Sequence, residues 1–256
     1  MTATDNSTAI EFRKVSYRLN GTRELLRGFD LQVSRGQTLV LLGRSGSGKT
    51  TTLKLVNHLL TPTAGEIFVE GKSTRDWDPI RLRRHIGYVI QEIGLFPHFT
   101  VARNIAVVPT IENWPRERIA ERVGELLGLV GLGAEFASRY PGELSGGQRQ
   151  RIGVARALAA DPPILLMDEP FGALDPITRA ELQGEFAALQ QRLKKTVIFV
   201  THDLHEALRL ASRIALMEDG RLVVSLTPEE FLKSKQPLVT AYMNAFGDKL
   251  RMRDCL

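Results

Sequence analysis

The segment GRSGSGKT, residues 43–50, combines glycines, hydroxyls and a lysine at the spacing G-x-x-x-x-G-K-[ST] that binds nucleotide phosphates. It follows an apolar run and precedes a helical pattern, which is the context that this motif requires. The glycines let backbone N–H groups turn inward around an anion, and the N-terminus of the next helix adds partial positive charge. We therefore expect Lys49 to reach the β- and γ-phosphates and the Thr50 hydroxyl to bind Mg²⁺. The predicted nucleotide-binding residues here are Gly43, Arg44, Ser45, Gly46, Ser47, Gly48, Lys49, Thr50 and Thr51.

A second candidate element is ILLMDEP, residues 164–170. Its four apolar residues predict a buried strand, and Asp168 at the end of that strand would direct a carboxylate toward the Mg²⁺ shell. Glu169 follows directly and would polarise the water that attacks the γ-phosphate. A strand that ends in a polar turn is the alternative interpretation, and the phosphate motif elsewhere in the chain disfavours it.

The segment LSGGQ, residues 144–148, opens a helical pattern with a hydroxyl and two glycines. Ser145 can cap a helix that starts near Gly146, and Gly146 and Gly147 let backbone N–H groups approach an anion closely. Together with Gln148, these residues form a candidate second phosphate clamp. Because the GRSGSGKT segment already supplies one clamp, the simplest arrangement pairs two copies head to tail. Each copy would then lend its LSGGQ segment to the other's nucleotide.

The elements that must position these residues alternate between strands and helices, which indicates an α/β core. Several middle strands are apolar without alternation, as is typical of parallel strands buried on both faces. The last β-type run is expected to form a hairpin that turns at residues 218–220. Strands are predicted at 10–19, 37–43, 65–71, 85–90, 164–167, 196–202 and 213–224, and helices at 49–60, 115–128, 146–160, 176–194 and 204–211.

The stretch from 93 to 161 interrupts this alternation, because it is rich in helical patterns and has little strand character. We interpret it as a helical subdomain inserted into the core. The nucleotide-binding core and a β-subdomain would then comprise residues 10–92 and 162–236. The tail, 237–256, is predicted to be one amphipathic helix with a loose basic end.

Composition limits the classes of protein that this chain can belong to. The chain has 256 residues and a net charge of +5. Its cations are scattered along the sequence. We interpret the densest groups, RLRR and RQR, as solvated helix faces or partner contacts. A basic balance is compatible with nucleic acid or an anionic lipid surface, so charge alone does not identify a ligand. The single cysteine, Cys255, cannot form an internal disulfide, which suits a reducing compartment.

The N-terminus lacks the features of a signal peptide, and no apolar run approaches the length of a membrane span, so we expect a soluble chain.

Taken together, these motifs resemble those of the ATPase subunit of ABC (ATP-binding cassette) transporters, and the resemblance covers nearly the whole chain. LSGGQ is similar to the family signature, GRSGSGKT to its phosphate loop and ILLMDE to its Mg²⁺ strand. The resemblance implies a RecA-like P-loop nucleotide-binding core, an antiparallel β-subdomain and an inserted α-helical subdomain. It also implies ATP and Mg²⁺ as cofactors.

The resemblance further implies roles for residues outside the three motifs. Tyr17 would stack on adenine, and Asp175 in GALD would belong to the nucleotide site. Gln91 would line the site and sense Mg²⁺ or water, and His202 in VTHD would donate to the γ-phosphate. Glu206, four residues later, is expected on a helix surface. The remaining histidines lack metal-ligand spacing.

Three classes of ABC protein compete: a transporter motor, a DNA-repair or chromosome-organising ATPase, and a translation factor. Fewer than a hundred residues separate Lys49 from Leu144, which leaves no room for the long coiled coil of DNA-repair relatives. Translation-factor relatives usually carry two cassettes, and this chain has one. The transporter interpretation is therefore favoured. It predicts that the chain forms a homodimer, or pairs with a similar ATPase subunit, and that it binds membrane permease subunits. A solute-binding protein would be an indirect partner, and no nucleic acid is expected. Its expected location is the cytoplasmic face of the plasma membrane.

Two segments bear on the solute. Residues 86–109 and 168–183 resemble the subgroup that imports glycine betaine, choline, carnitine and related osmoprotectants. Many members of that subgroup carry C-terminal nucleotide- or salt-sensing modules, and the short tail predicts that this chain lacks them. Import of another organic solute or a lipid, or a non-transport ABC ATPase, remain the alternatives.

Overall fold

A computed structural model describes residues 7–91, 94–172 and 174–253, with side chains as far as residue 245. The chain divides into two compact units. The first comprises Met1–Gly71 with Phe199–Leu256, and the second comprises Lys72–Ile198. None of the helices in the described part of the chain has the length and hydropathy needed to span a membrane.

The described strands agree with most of the predicted positions. They are β1 (Thr8–Leu19), β2 (Arg23–Ser34), β3 (Thr38–Leu42), β4 (Ala64–Val69), β5 (Lys72–Ser73), β6 (Ile86–Val89), β7 (Ile164–Asp168), β8 (Thr196–Thr201), β9 (Arg213–Glu218) and β10 (Arg221–Leu226). Of these, β2 and β5 were not expected from the sequence.

The five predicted helices are present, together with shorter ones that the sequence pattern does not indicate. The helices are α1 (Lys49–Val56), α2 (Pro79–His85), α3 (Val101–Ile105), α4 (Val107–Ile111), α5 (Arg116–Leu129), α6 (Gly146–Leu158), α7 (Pro176–Leu193), α8 (Leu204–Leu210), α9 (Pro228–Lys233) and α10 (Pro237–Arg253). Two 3₁₀ turns lie at Ala134–Phe136 and Pro141–Glu143. The helix expected after residue 237 is α10.

In the first unit, β1 pairs antiparallel with both β2 and β4. The rings of Phe12 and Phe29 meet edge to face at 5.3 Å in the core of this antiparallel sheet. Strand β3 is buried along its whole length and pairs parallel with β9, as its apolar run predicts. The hairpin β9–β10 turns at Asp219 and Gly220, which have φ of 46° and 75°. Positive φ at both positions is typical of a type I′ turn, so the predicted hairpin is confirmed.

In the second unit, β6 and β7 pair parallel, with Ile86 opposite Ile164 and Val89 opposite Met167. Helix α6 lies very close to β6, because a Cβ on Gly87 would come within 2.4 Å of the Ala157 carbonyl oxygen. Between residues 94 and 161, all the described elements of secondary structure are helices or 3₁₀ turns, from α3 to α6.

Candidate nucleotide-binding site

Lys49 is held at the entrance of α1 by the loop that precedes it. Its side chain is only 5% exposed, and Nζ donates to the carbonyl oxygens of Gly43, at 2.7 Å, and Arg44, at 2.8 Å. A buried ammonium must be hydrogen-bonded, and these two carbonyls hold it against the loop. The cation is therefore fixed inside the turn that the GRSGSGKT motif forms.

Two glycines of this loop cannot be replaced without moving the backbone. A Cβ on Gly43 would meet the Met217 carbonyl oxygen at 2.5 Å. Gly48 has φ of 100°, and a Cβ there would meet the Leu25 carbonyl oxygen at 2.7 Å. The loop thus packs against neighbouring backbone at two points, and only glycine fits these close approaches.

The entrance of α1 has the features of an anion site. Gly48 is the N-cap and supplies no side-chain hydrogen bond, and no acidic residue lies in the first turn. The N–H groups at a helix start lack intrahelical partners, and the helix dipole adds partial positive charge there, so this end of a helix favours an anion. The hydroxyl of Ser47 is buried at the same place without a hydrogen-bond partner. This donor set fits a phosphate group.

The other predicted residues of the first unit lie at the surface or half-buried. Tyr17 is half-buried in β1 opposite Leu26, and His202 is exposed in the bend between β8 and α8. Thr50 and Thr51 lie in the first turn of α1 and are half-buried. Arg44, Ser45 and Gly46 form the exposed part of the loop.

The expectation that Glu206 lies on a helix surface is wrong. Its side chain is 4% exposed, and Thr201 Oγ1 donates to its carboxylate at 2.6 Å. Asp203 caps α8 through its carboxylate and also donates its own N–H to Thr201 Oγ1. The carboxylate therefore ties α8 to the end of β8, on either side of His202.

In the second unit, Asp168 closes strand β7 and is 5% exposed. Its carboxylate is hydrogen-bonded to the phenol of Tyr88 on β6. Burial raises the pKa of Tyr88 well above its usual range, and the charge and hydrogen bond of Asp168 add to this. Tyr88 is consequently the donor in this pair, a contact that the sequence did not indicate.

Glu169 adopts a backbone conformation that is unusual for its type. Its φ is 44°, in the left-handed region, and the N–H of Gly172 donates to its carbonyl oxygen at 3.1 Å. Strain of this kind persists where the surrounding structure fixes it and is common at functional sites. The turn leaves the Glu169 side chain half-buried just beyond Asp168.

The LSGGQ segment forms a complete helix cap. The Gln148 N–H donates to Ser145 Oγ at 3.2 Å, and the Ser145 N–H donates to Gln148 Oε1 at 2.9 Å. This capping box confirms the predicted role of Ser145 at the start of α6. The Ser145 hydroxyl only accepts in this arrangement, so its own proton stays available to an anion. Gly146 is half-buried and Gly147 is buried.

Asp175 is the N-cap of α7. Its carboxylate accepts from the N–H groups of Ile177 at 3.1 Å and Thr178 at 3.0 Å. The hydrogen bond from the Thr178 side chain is the largest cause that holds the pKa of Asp175 below its usual value. Gln91 is exposed in the turn that follows β6.

The two units divide the predicted site residues between them. The first holds Tyr17, residues 43–51 and His202, and the second holds Gln91, residues 145–148, Asp168, Glu169 and Asp175. In the described part of the chain, no group of three or more His, Cys, Asp or Glu side chains could hold a metal by itself. The carboxylate of Asp168 and the hydroxyl of Thr50 are oxygen ligands, the type that Mg²⁺ takes together with substrate phosphates.

Known proteins resemble this chain both in sequence and in structure. The model of the ABC transporter family matches residues 26–172. A dimeric post-hydrolysis state of the ATP-binding cassette MJ0796, bound to ADP and Pi, superposes with a TM-score of 0.76 and 33% identity, covering 86% of this chain and 98% of that one. CbiO1 of Clostridium perfringens, part of the ABC transporter complex CbiONQ, superposes with a TM-score of 0.83 and 25% identity, covering 96% and 99%.

Three curated relatives are transport proteins. The glycine betaine/carnitine/choline transport ATP-binding protein OpuCA of Bacillus subtilis is 52% identical over 225 residues, which are 88% of this chain and 59% of OpuCA. The osmoprotectant import ATP-binding protein OsmV of Salmonella typhimurium is 55% identical over 79% of this chain and 53% of its own length. The glycine betaine uptake system ATP-binding protein YehX of Escherichia coli is 51% identical over 86% of this chain and 71% of its own length. This chain thus spans only 59% of the length of OpuCA. The family match over more than half of the residues and the identity to these relatives lead to one conclusion: the chain belongs to the ABC transporter family, and its fold is that of an ABC ATPase.

Proposed function

We propose that this chain binds and hydrolyses ATP as the motor subunit of an ABC importer for glycine betaine, choline or carnitine-type osmoprotectants. The names of OpuCA, OsmV and YehX support the solute class, because each is about half identical to this chain. The phosphate-binding loop supports the activity. Import of another organic solute or a lipid is the alternative for the substrate.

The proposed nucleotide site uses the loop at α1 for the phosphates. The backbone of residues 43–48, with Lys49, would surround the β- and γ-phosphates, and the Tyr17 ring would stack on adenine. Thr50, Gln91 and Asp168 would hold Mg²⁺, which neutralises phosphate charge when it is bound. Two loop carbonyls already hold the Lys49 ammonium at the loop that would surround the phosphates.

Hydrolysis is assigned to residues at the ends of β7 and β8. Glu169 would orient and polarise the attacking water, and His202 would donate to a γ-phosphate oxygen. A second copy, or a similar ATPase subunit, would pair head to tail and contribute Ser145–Gln148 to the site. Its free Ser145 proton and the N–H groups of Gly146 and Gly147 would then meet the γ-phosphate. Asp175, at the start of α7, would belong to the same interface.

The proposed partners follow from the transport role. Residues 10–92 and 162–236 would form the nucleotide-binding core and β-subdomain, 93–161 a helical signature subdomain, and 237–256 a C-terminal tail. Permease subunits would hold the chain at the cytoplasmic face of the plasma membrane, and a binding protein would deliver solute to them. No nucleic-acid partner is proposed.

The observation that carries the proposal is the buried Lys49 at the uncapped entrance of α1. Lys49→Ala should lower the affinity for a fluorescent ATP analogue by at least tenfold, because the cation that faces the phosphates is lost. Lys54→Ala removes an exposed cation from the same helix and should leave the affinity unchanged. Equal affinities of Lys49→Ala and wild type would overturn the phosphate-binding role.

Two further measurements test hydrolysis and solute separately. Glu169→Gln should bind ATP, lose turnover and accumulate as an ATP-bound dimer on a sizing column, because glutamine cannot accept the proton. Purified with its permease in vesicles, the wild-type protein should hydrolyse ATP faster when glycine betaine and its binding protein are added, and maltose should have no effect. Turnover by Glu169→Gln close to wild type would remove the base role, whereas indifference to quaternary amines would favour the alternative solutes.

A further inference from the structure

Tyr88 and Asp168 belong to neighbouring parallel strands, and the register of those strands explains their contact. Tyr88 on β6 lies opposite Leu166 on β7. Asp168 is two residues beyond Leu166, so its side chain projects from the same face of the sheet. The phenol of Tyr88 is hydrogen-bonded to this diagonal neighbour on the same face.

The hydrogen bond acts on a carboxylate that has little access to water. Asp168 is 5% exposed, and a buried carboxylate requires donors. A phenol offers one O–H donor, and bonds of this charged type are short and directional. An ionised carboxylate has about four lone-pair positions. Tyr88 therefore occupies one of them and restricts rotation of the carboxylate.

We propose that Tyr88 is a positioning residue for Mg²⁺·ATP, which orients the Asp168 carboxylate through this hydrogen bond. The inference rests on the proposed function, in which Asp168 binds Mg²⁺. Carboxylates that bind metals are usually held by a hydrogen bond from a neighbouring group, and loss of that group typically lowers metal affinity by about 10–100-fold. Gln91, a second proposed ligand, lies in the turn two residues beyond the end of β6.

The direction of the effect separates positioning from charge. If Tyr88 only withdrew charge from the carboxylate, its removal would make the carboxylate a stronger ligand and the metal would bind more tightly. If Tyr88 helps to fix the orientation, its removal takes away one hydrogen bond that holds the carboxylate, and the metal binds more weakly. Tyr88→Phe distinguishes the two, because it removes the hydroxyl and keeps the ring.

The test uses Mn²⁺ as the probe and a non-hydrolysable ATP analogue, with free Mn²⁺ measured by its electron paramagnetic resonance signal. Tyr88→Phe should raise the Kd of Mn²⁺ in the ternary complex about tenfold. Its affinity for the analogue in EDTA should match wild type, and Tyr140→Phe, at a half-exposed ring, should match wild type in both measurements. In an Asp168→Asn background, adding Tyr88→Phe should change the Mn²⁺ Kd less than twofold.

Each outcome bears on a different claim. Unchanged or tighter Mn²⁺ binding by Tyr88→Phe overturns the positioning role and leaves the proposed function intact. An equal effect of Tyr88→Phe with and without the Asp168 carboxylate overturns the route through Asp168. Failure of the wild-type protein to bind Mn²⁺ together with the analogue overturns both the inference and the proposed function.

Discussion

Replacing Gly147 with alanine should destabilise the protein, whereas the same change at Gly146 should not. Both glycines lie in the first turn of α6, so the two variants differ little in helix propensity. A Cβ on Gly147 would lie 2.7 Å from Cγ2 of Thr178 on α7. At Gly146 the nearest atom, Leu174 Cδ2, would be 3.6 Å away, which is an ordinary contact.

The magnitude follows from two opposing terms. Carbon atoms are best separated by about 3.5–4.0 Å, so Thr178 or α7 must move by close to 1 Å, and overpacking of this kind costs about 1–3 kcal/mol. Gain of helix propensity offsets at most about 1 kcal/mol. Rotation of the threonine methyl offers no easy relief, because the Thr178 side chain is hydrogen-bonded to Asp175. We expect Gly147→Ala to lower the free energy of unfolding by roughly 1–2 kcal/mol, and Gly146→Ala to keep or slightly raise it.

Urea unfolding of a double-mutant cycle would measure this clash. Thr178→Ser removes the methyl group and keeps the hydroxyl that bonds Asp175. In the Gly147→Ala background, Thr178→Ser should raise the free energy of unfolding by about 1 kcal/mol or more. In the wild-type background, the same change should lower it by a smaller amount. Equal stability of the two alanine variants, or no recovery by Thr178→Ser, would refute the proposed packing of α6 on α7.

Two further predictions concern groups whose surroundings the structure defines. Asp175→Asn keeps an acceptor oxygen for the α7 cap and removes the titratable carboxyl group. The pKa of Asp175 is lower in the folded protein than in the unfolded chain. The ionised Asp175 therefore stabilises the fold above the unfolded pKa, and this stabilisation is lost as pH falls below about 4. The urea midpoint of Asp175→Asn should therefore fall less than that of wild type between pH 5 and pH 2.5, and parallel curves would contradict this. Glu206→Ala should lower the free energy of unfolding by about 1–3 kcal/mol, because the buried Thr201 hydroxyl loses its acceptor. Glu206→Gln should lose less, and the exposed Glu229→Ala should stay near wild type; similar losses in all three would exclude the buried hydrogen bond as the cause.

The parts of the fold that could be predicted are those that the local sequence specifies. The run TLVLL has no alternation, and it forms β3, buried on both faces. The dipeptide Asp219-Gly220 provides the two positive φ values of the hairpin turn. Strand β2 was missed because Gly28, with φ of 52°, interrupts the alternation of buried Leu26 and Phe29. Its pairing with β1 becomes evident only in the folded sheet.

The parts of the site that could not be predicted depend on contacts distant in sequence or on the packing of neighbouring elements. Tyr88 and Asp168 are 80 positions apart, and only the register of β6 against β7 brings them together. Glu206 looked like a surface residue because glutamate usually is. Its burial depends on the Thr201 hydroxyl at the end of the preceding strand, which a helical pattern does not reveal.

Head-to-tail pairing of two copies is the central claim, and ATP-dependent cross-linking tests it most directly. One chain would carry Ser45→Cys and the other Gly146→Cys, both with Glu169→Gln to retain ATP and Cys255→Ser to remove the single native thiol. Ser45 is exposed, and a side chain at 146 fits without a close contact. With a short bismaleimide, the mixture should give a cross-linked dimer when ATP and Mg²⁺ are present, and neither chain alone should do so. A yield that ATP does not increase over ADP or no nucleotide would contradict the account.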